Sequence, residues 1–342
     1  MQGLGPRDLK KNVLKQDLCI GCGACLELCP YLRLHHGRAV MLFDCDLETG
    51  RCSAFCPRTD EMQDQDRLNR PPAESTASHP FGTHREILAA RAGRAMSGGD
   101  FQNGGTVSSL IAFALDNQLI DRALLTDREG LRPLPRNVST PEEVLACSGS
   151  KYMLAPTLSG LNRSIRQGLL RNGVVGTPCQ AKAVARIRNN PLQQPDFQDP
   201  VTVSIGLFCT WGLDPHRLER FLSEHLCGET LLKMDIPPPP AAVLRIETET
   251  RQLEILLERI RHLIPPGCLV CPDMTAEFAD ISVGVLEEDP AWNLVIVRTA
   301  AGADLLAGAK KSDWIETRPV PTASLERLSR AAAGKKQKET PP

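Results

Sequence analysis

Cys19, Cys22, Cys25 and Cys29 are spaced C-x-x-C-x-x-C-x-x-x-C and are followed by Pro30. Three thiolates at this spacing can wrap one face of a cubane iron–sulfur cluster, and a fourth before proline usually reaches a neighbouring cluster. Gly21 and Gly23 lie between the ligands, where the backbone must turn tightly and pass close to inorganic sulfide. Zinc is the alternative occupant. It needs only two pairs of ligands, and it explains neither the third close cysteine nor the Cys-Pro ending. Iron–sulfur chemistry is the better reading, and with it the handling of single electrons.

Cys45, Cys52 and Cys56 follow, and Cys52 to Pro57 repeats the C-x-x-x-C-P ending. Two four-iron clusters need eight ligands, and this segment has seven cysteines. Asp44 or Asp46 would replace the missing thiolate, the second cluster would hold three irons, or the second site would be structural only. Two clusters is the favoured reading. Six further cysteines lie apart. Cys268 and Cys271 form a C-x-x-C pair. Cys179 stands at a strand-to-helix turn in Gly176-Thr177-Pro178-Cys179-Gln180, and Cys209 ends the strand-like Ile205–Phe208. These four could converge on one cluster at a sheet edge. Spacing alone leaves open that Cys179 and Cys209 are small buried hydrophobes.

The elements that must position these residues read as α/β. Apolar runs predict strands at 123–125, 174–175, 201–207, 281–285 and 294–297, and alternation predicts one at 243–250. Helices are expected at 106–115, 158–170 and 216–225, and from Thr140-Pro141, where threonine caps and proline takes the first helical position. Residues 253–263 are apolar at helical spacing, with a strand not excluded. Pro237 to Pro240 should be rigid and extended. The expected organisation is an iron–sulfur domain at 1–65, a polar, proline-containing linker at 66–97, the large domain at 98–330 and a solvated tail at 331–342.

Bulk composition excludes several classes. Hydrophobic residues make up 42% and charged residues 24%, as in a globular protein. Lys and Arg number 40 against 41 Asp and Glu, so no basic footprint for nucleic acid exists. Apolar runs are too short for a membrane span, and the start lacks a signal-like apolar core. Thirteen cysteines without a secretory signal imply a cytoplasmic chain whose thiols hold metal. His35, His36 and His216 read as solvated, and no side chain is nominated as catalytic.

The stretches Asn103-Gly104-Gly105-Thr106-Val107, Cys147 to Tyr152, Val174 to Gln180, Ile205 to Cys209, Lys233 to Ile236, Cys268-x-x-Cys271-x-Asp273, Ala279 to Gly284 and Val297-Arg298-Thr299 occur in order over about 98–320. In these pieces the chain resembles the family of the beta subunits of coenzyme F420-reducing hydrogenase and F420-dependent formate dehydrogenase. Its N-terminus is similar to a ferredoxin-like domain, as in the input subunit of the F420H2 dehydrogenase complex and the N-terminal half of F420-dependent sulfite reductase. The resemblance implies an α/β flavin-binding domain with a small α+β ferredoxin-like domain at the N-terminus. It also implies bound FAD and a [4Fe-4S] cluster on Cys179, Cys209, Cys268 and Cys271, hence two or three clusters in all. Cys147 and Cys227 have no matching role and are expected to be core thiols.

The implied flavin contacts are Gly104, Gly105, Thr106, Gly149, Ser150, Lys151 and Tyr152, with Thr177 and Gln180 nearby. Glycines at a helix start would let backbone N–H groups meet a pyrophosphate, and Lys151 would pair with phosphate or with reduced flavin. As plain residues, Lys151 reads as a surface lysine, and Thr177 and Gln180 as a helix cap. The implied function is exchange of hydride between coenzyme F420, or another two-electron carrier, and FAD. Single electrons would then pass through clusters to or from a catalytic subunit of a hydrogenase, formate dehydrogenase or reductase, or ferredoxin. A relative that reduces 7-hydroxymethyl chlorophyll implies the alternative of a stand-alone ferredoxin-dependent reductase; a pure electron-transfer subunit is a further one. The four prolines at 237–240 depart from the family's Gly- and Lys-rich loop, and proline has no N–H to offer a phosphate.

Overall fold

The computed structural model describes residues 5–59 and 79–337. In the N-terminal part a helical turn (Pro6–Asp8) runs into a π-helix (Leu9–Leu14), and β1 (Leu32–His35) pairs antiparallel with β2 (Arg38–Met41). A short helix, Arg51–Ala54, carries Cys52. Positions 60–78, which include 66–78 of the expected linker, lie outside the described residues, as do 338–342.

The large part begins with β3 (Glu86–Ala92), α1 (Thr106–Asp116), β4 (Arg122–Glu129) and β5 (Arg132–Val138). Then come α2 (Pro141–Ala146), α3 (Leu158–Arg166), β6 (Asn172–Gly176), α4 (Pro178–Arg188), β7 (Val201–Leu207) and α5 (Pro215–Leu226). An antiparallel sheet of β8 (Leu231–Asp235), β9 (Val243–Thr248) and β10 (Gln252–Leu256) follows. The chain closes with β11 (Ile281–Val285), β12 (Asn293–Val297), α6 (Ala300–Lys311), β13 (Ile315–Arg318) and α7 (Thr322–Gln337).

The main sheet has eight strands in the order β13-β3-β12-β11-β7-β6-β4-β5. Its centre, β11-β7-β6-β4, is parallel, and the outer pairings are antiparallel. Neighbouring residues on these strands feed opposite cores, as a period of two requires. Val175 and Ala123 pack with Leu110 and Ile111 of α1 and Leu306 of α6. Val174 and Leu124 pack with Leu158 of α3, Ile187 of α4 and Leu222 of α5. The second core also takes in Ile20, Ala24, Ala54 and Phe55, so the N-terminal part shares a hydrophobic core with the large part.

Local chemistry sets several helix starts. Thr140 accepts from the amide of Glu143, whose carboxylate returns to the Thr140 amide, and Pro141 opens α2. Asp214 caps α5 through the Arg217 amide at 3.0 Å, with Pro215 in the first position.

Four expectations are corrected. Residues 86–92, assigned to the linker, form a strand inside the main sheet, because Leu88, Ala89 and Ala90 are buried between β12 and β13. Residues 253–263, at helical spacing with a strand not excluded, divide: 253–256 are strand, with Leu253 and Ile255 paired with Ile246 and Leu244 while Glu254 faces solvent, and only 257–260 turn helical. Tertiary pairing overrides the local spacing there. The expected tail is helical as far as Gln337, with Ala332 buried. Cys227 is exposed in a left-handed conformation at the end of α5, so it is no core thiol. No helix among the described residues is long and apolar enough to cross a membrane.

Candidate iron–sulfur and electron-transfer site

Cys179 and Cys209 follow the carboxyl ends of β6 and β7, which are adjacent and parallel. That edge is where open α/β sheets place ligands. Cys268, inside the short helix Pro266–Leu269, and Cys271, just after it, come to the same place. Burial, the largest cause, together with Cys271 and Cys268 pushes the Cys179 thiol up to about 12. Burial also drives the Cys209 thiol up, again with Cys268, Cys179 and Cys271 contributing. These four thiols therefore lie within electrostatic reach of one another.

In the N-terminal part the thiols form two adjoining groups, joined where Cys25 also responds to Cys52. Burial raises Cys22 and Cys25 far above the usual thiol range, and Cys56 and Cys19 add to it. Burial lifts Cys56 to about 11, with Cys19 contributing. Cys19, Cys22, Cys25 and Cys56 face an apolar cavity closed by Leu9, Val13 and Leu26. The amide of Ala39 donates to the Cys19 sulfur at 3.3 Å. Cys52, raised by burial to about 11, responds to Cys29 and Cys45. Cys29 is exposed and Cys45 half-buried, so this three-thiol group opens to solvent. Cys22 also responds to Cys179, which brings the first group beside the sheet-edge group.

Among the described residues, no three His, Cys, Asp or Glu side chains close on one point tightly enough for a single metal ion. A zinc ion holding each sulfur at about 2.3 Å would draw them to roughly 3.8 Å from one another. A cubane spreads its thiolates over four irons, and buried, mutually coupled thiols with backbone donors suit it. The two four-thiol groups fit that chemistry. The three-thiol group lacks a fourth cysteine: Asp44 is tied to Lys10 and Asp46 pairs with Arg7 at 3.4 Å.

Glycine has distinct work in the first motif. Gly21 has φ +60°, and a Cβ there would meet the Gly37 carbonyl oxygen at 2.0 Å. Gly23 has φ +89°, and its Cβ would meet the Pro156 carbonyl oxygen at 2.5 Å. The first closes the loop on the β1–β2 turn; the second lets it dock on the start of α3. Around Gly23, the Leu158 amide donates to the Cys22 carbonyl at 3.1 Å. Buried Asn162 donates to the carbonyls of Ala24 and Leu26 at 3.0 and 2.7 Å. Arg58 donates to the Gly267 carbonyl at 2.6 Å and Arg186 to that of Ala54 at 2.8 Å. His36 packs edge-on between His35 and His216, with ring centres 4.0 and 3.9 Å away, so the histidines join the β1–β2 turn to α5.

The stretches expected at flavin converge on Gln102. Its amide nitrogen donates to Asp235 Oδ1 at 2.7 Å and to the Tyr152 hydroxyl at 3.1 Å, and its oxygen accepts from the Ser150 amide at 2.5 Å. The Tyr152 hydroxyl donates to Asp235 at 3.0 Å and accepts from the Ile236 amide at 3.0 Å. Burial, with Asp235 adding to it, pushes Tyr152 up to about 12. Pro237 to Pro240 leave directly from this network.

Several nominated donors are engaged inside the protein. The Thr106 amide donates to Asn293 Oδ1 at 3.2 Å and its hydroxyl to the Ala90 carbonyl at 2.9 Å. Gly104 is required by packing, since a Cβ would stand 2.8 Å from Asn293 Oδ1. Gly105 turns into α1 at φ +74°. Lys151 is neither a solvated lysine nor poised for phosphate: its ammonium donates to the carbonyls of Cys147, Ser148 and Gly149 at 2.8, 2.7 and 2.9 Å and so closes the end of α2. Thr177 and Gln180 are the helix cap that their residue types suggested, with the Thr177 amide 2.9 Å from Gln180 Oε1. The Thr177 hydroxyl also lies 3.2 Å from the Cys179 sulfur. Gly149 and Ser150 are exposed, with the Ser150 amide held by Gln102 and the Gly149 carbonyl by Lys151. Gln102, Asp235 and Asn162 were not singled out from the sequence. Gln102 adjoins a quoted stretch and Asp235 lies within one, while nothing in the sequence marks Asn162.

Residues 169–323 match the family model for the C terminus of the coenzyme F420 hydrogenase/dehydrogenase beta subunit, and residues 87–162 match the model for its N-terminal region. Residues 13–32 match a 4Fe-4S binding domain. The chain is 30% identical over 265 residues to the beta subunit of the coenzyme F420 hydrogenase of Methanothermobacter thermautotrophicus, covering 75% of this chain and 93% of that one. It is 26% identical over 309 residues to a subunit of the F420H2 dehydrogenase of Methanosarcina mazei, covering 85% and 82%. A chain of the F420-reducing [NiFe] hydrogenase complex from Methanosarcina barkeri superposes with a TM-score of 0.69 at 27% identity, covering 76% of this chain and 91% of that one.

Proposed function

Since the chain belongs to the family of coenzyme F420 hydrogenase/dehydrogenase beta subunits, we propose that it exchanges two electrons with coenzyme F420 or a similar carrier and passes them singly to or from a partner redox protein. That partner would be the catalytic subunit of a hydrogenase, formate dehydrogenase or reductase, or a ferredoxin. The observation that carries the reading is the sequence of three thiol groups running from the sheet edge to the surface. Cys179, Cys209, Cys268 and Cys271 would hold the innermost [4Fe-4S] cluster. Cys19, Cys22, Cys25 and Cys56 would hold the next, and Cys29, Cys45 and Cys52 would bind an outer one. Bound FAD would join two-electron to one-electron chemistry, and the clusters would carry the single electrons.

The chain's own residues supply placement and insulation. Gln102 fixes the Ser150 backbone and Asp235 in one frame, so the exposed turn at Gly149 and Ser150 is the surface offered to a flavin. Lys151 leaves a net positive charge beside that surface while its N–H groups stay committed. Asn162, Arg58 and Arg186 hold the first N-terminal thiol group against the part that carries the sheet-edge group.

A second reading, a stand-alone reductase of an organic substrate, is favoured by the prolines that leave the Tyr152–Asp235 network, since they offer no N–H groups to a phosphate-bearing carrier. Anaerobic reconstitution with iron, sulfide and FAD, followed by iron, sulfide and flavin analysis of the wild type and of Cys209→Ala, tests the cofactor set. Retained flavin, and loss of about four irons from the variant, support it. A chain that binds no flavin, or a variant with unchanged iron, refutes it.

A further inference from the structure

The last helix ends beside the sheet-edge thiols. The Lys335 ammonium donates to the Cys209 carbonyl at 2.6 Å and to the Asp273 carbonyl at 2.8 Å. Cys209 sits on the segment after β7, and Asp273 lies two residues beyond Cys271, whose thiol also points at the Asp273 carbonyl at 3.7 Å. One side chain thus ties together the two separate segments that present this thiol group. It does so from residues that the sequence marked only as a tail.

Two further observations hold Lys335 there. Ala332 and Leu328 are buried against Phe81, Leu294 and Ile296, which seats α7 on β12. Next to it, Lys336 pairs with Glu277 at 2.7 Å; the Glu277 amide donates to Asp273 Oδ2 at 2.9 Å, so Lys336 reaches the Cys271 segment only through Glu277 and bonds neither of the two carbonyls that Lys335 holds.

Resting on the cluster assignment proposed above, we propose that Lys335 is a positioning and potential-setting residue for the innermost cluster. It holds the Cys209 and Cys271 segments at the separation the cluster needs. Its positive charge favours the cluster's reduced form. Adding one electron makes a thiolate-bound cluster more anionic by one charge, and a nearby cation stabilises the more anionic state, which raises the reduction potential.

The test is an anaerobic redox titration, followed by electron paramagnetic resonance, of the full chain loaded with iron and sulfide. Cys209→Ala identifies the innermost cluster by the signal it removes. Lys335→Gln should move the potential of that signal to a more negative value and leave the other signals in place. Lys335→Arg and Lys336→Gln should stay close to the wild type. Loss of that cluster's iron from Lys335→Gln alone, restored in Lys335→Arg, supports the same assignment through the positioning role. An unchanged potential and iron content in Lys335→Gln overturns it. So does an equal shift in Lys336→Gln, which would trace the effect to helix docking, and so does failure of Lys335→Arg to load. If the wild type shows no signal that Cys209→Ala removes, the cluster assignment itself fails, a result distinct from these.

Discussion

Gly23→Ala tests whether the first N-terminal thiol group is built against the large part or only tethered to it. An alanine at φ +89° meets the steric cost of a left-handed conformation, about 1–2 kcal/mol. Its Cβ would also press on the Pro156 carbonyl oxygen at 2.5 Å and the Ser159 amide at 2.7 Å, both backbone atoms. Overpacking of that kind costs about 1–3 kcal/mol. The sum, roughly 2–5 kcal/mol, makes opening of this contact about 30-fold to several thousand-fold more frequent. The Leu158 amide, bonded to the Cys22 carbonyl, reports that opening by hydrogen exchange. Gly130→Ala is the control. Its φ is +58°, and nothing lies within 4 Å of an added Cβ, so it carries the conformational cost without the clash. Leu158 should exchange faster in Gly23→Ala and at the wild-type rate in Gly130→Ala. Equal exchange in wild type and Gly23→Ala would refute the reasoning, because the docked interface would then not depend on the missing side chain.

Asn162→Ala leaves the Ala24 and Leu26 carbonyls buried without their donor; at about 1–3 kcal/mol each, thermal unfolding should come several degrees lower. Cys227→Ser should keep full iron content after reconstitution, since Cys227 is exposed at the end of α5 and away from every thiol group described above. Tyr152→Phe should weaken flavin retention, measured by flavin released on desalting, because Ile236, Gln102 and Asp235 lose their shared partner. Tyr152 also carries a pH signature. Its folded pKa is raised from 10.0 to about 12, so the unfolded chain releases this proton first. The stability it contributes is complete below pH 10 and is lost as pH rises toward 12. Denaturant unfolding of wild type minus Tyr152→Phe should show that loss between pH 10 and 12, and a flat difference counts against the network.

Much of the thiol arrangement was legible because cluster ligands come in tight local spacing: Cys19 to Cys29 announces itself within eleven residues. The sheet-edge group was legible only in part. Cys179 and Cys209 stand at strand ends that apolar runs predict, but their meeting with Cys268 and Cys271 depends on the parallel pairing of β6 with β7, and spacing does not encode that pairing. The contacts that join the two parts were hidden for a different reason. They run through backbone carbonyls of Cys22, Ala24, Leu26, Ala54 and Gly267, which no residue type reveals. Lys151 and Lys335 illustrate the limit for charges. Each lies in a stretch where a lysine reads as solvated, and each spends its ammonium on backbone carbonyls that only the folded chain brings near. The strand at 86–92 was missed because polar and proline-containing sequence precedes it closely, while its own alanines gave little β signal.

The central claim is that two-electron and one-electron chemistry meet in this chain. The most direct measurement is an anaerobic spectrophotometric titration of the chain reconstituted with iron, sulfide and FAD, using reduced F420 as the only reductant. Bleaching of the flavin followed by loss of cluster absorbance, with the second step lost in Cys209→Ala, is the predicted result. Flavin and clusters that both ignore reduced F420, yet respond to NADH or reduced ferredoxin, would contradict the assignment of the carrier and direct attention to Pro237–Pro240 beside Tyr152.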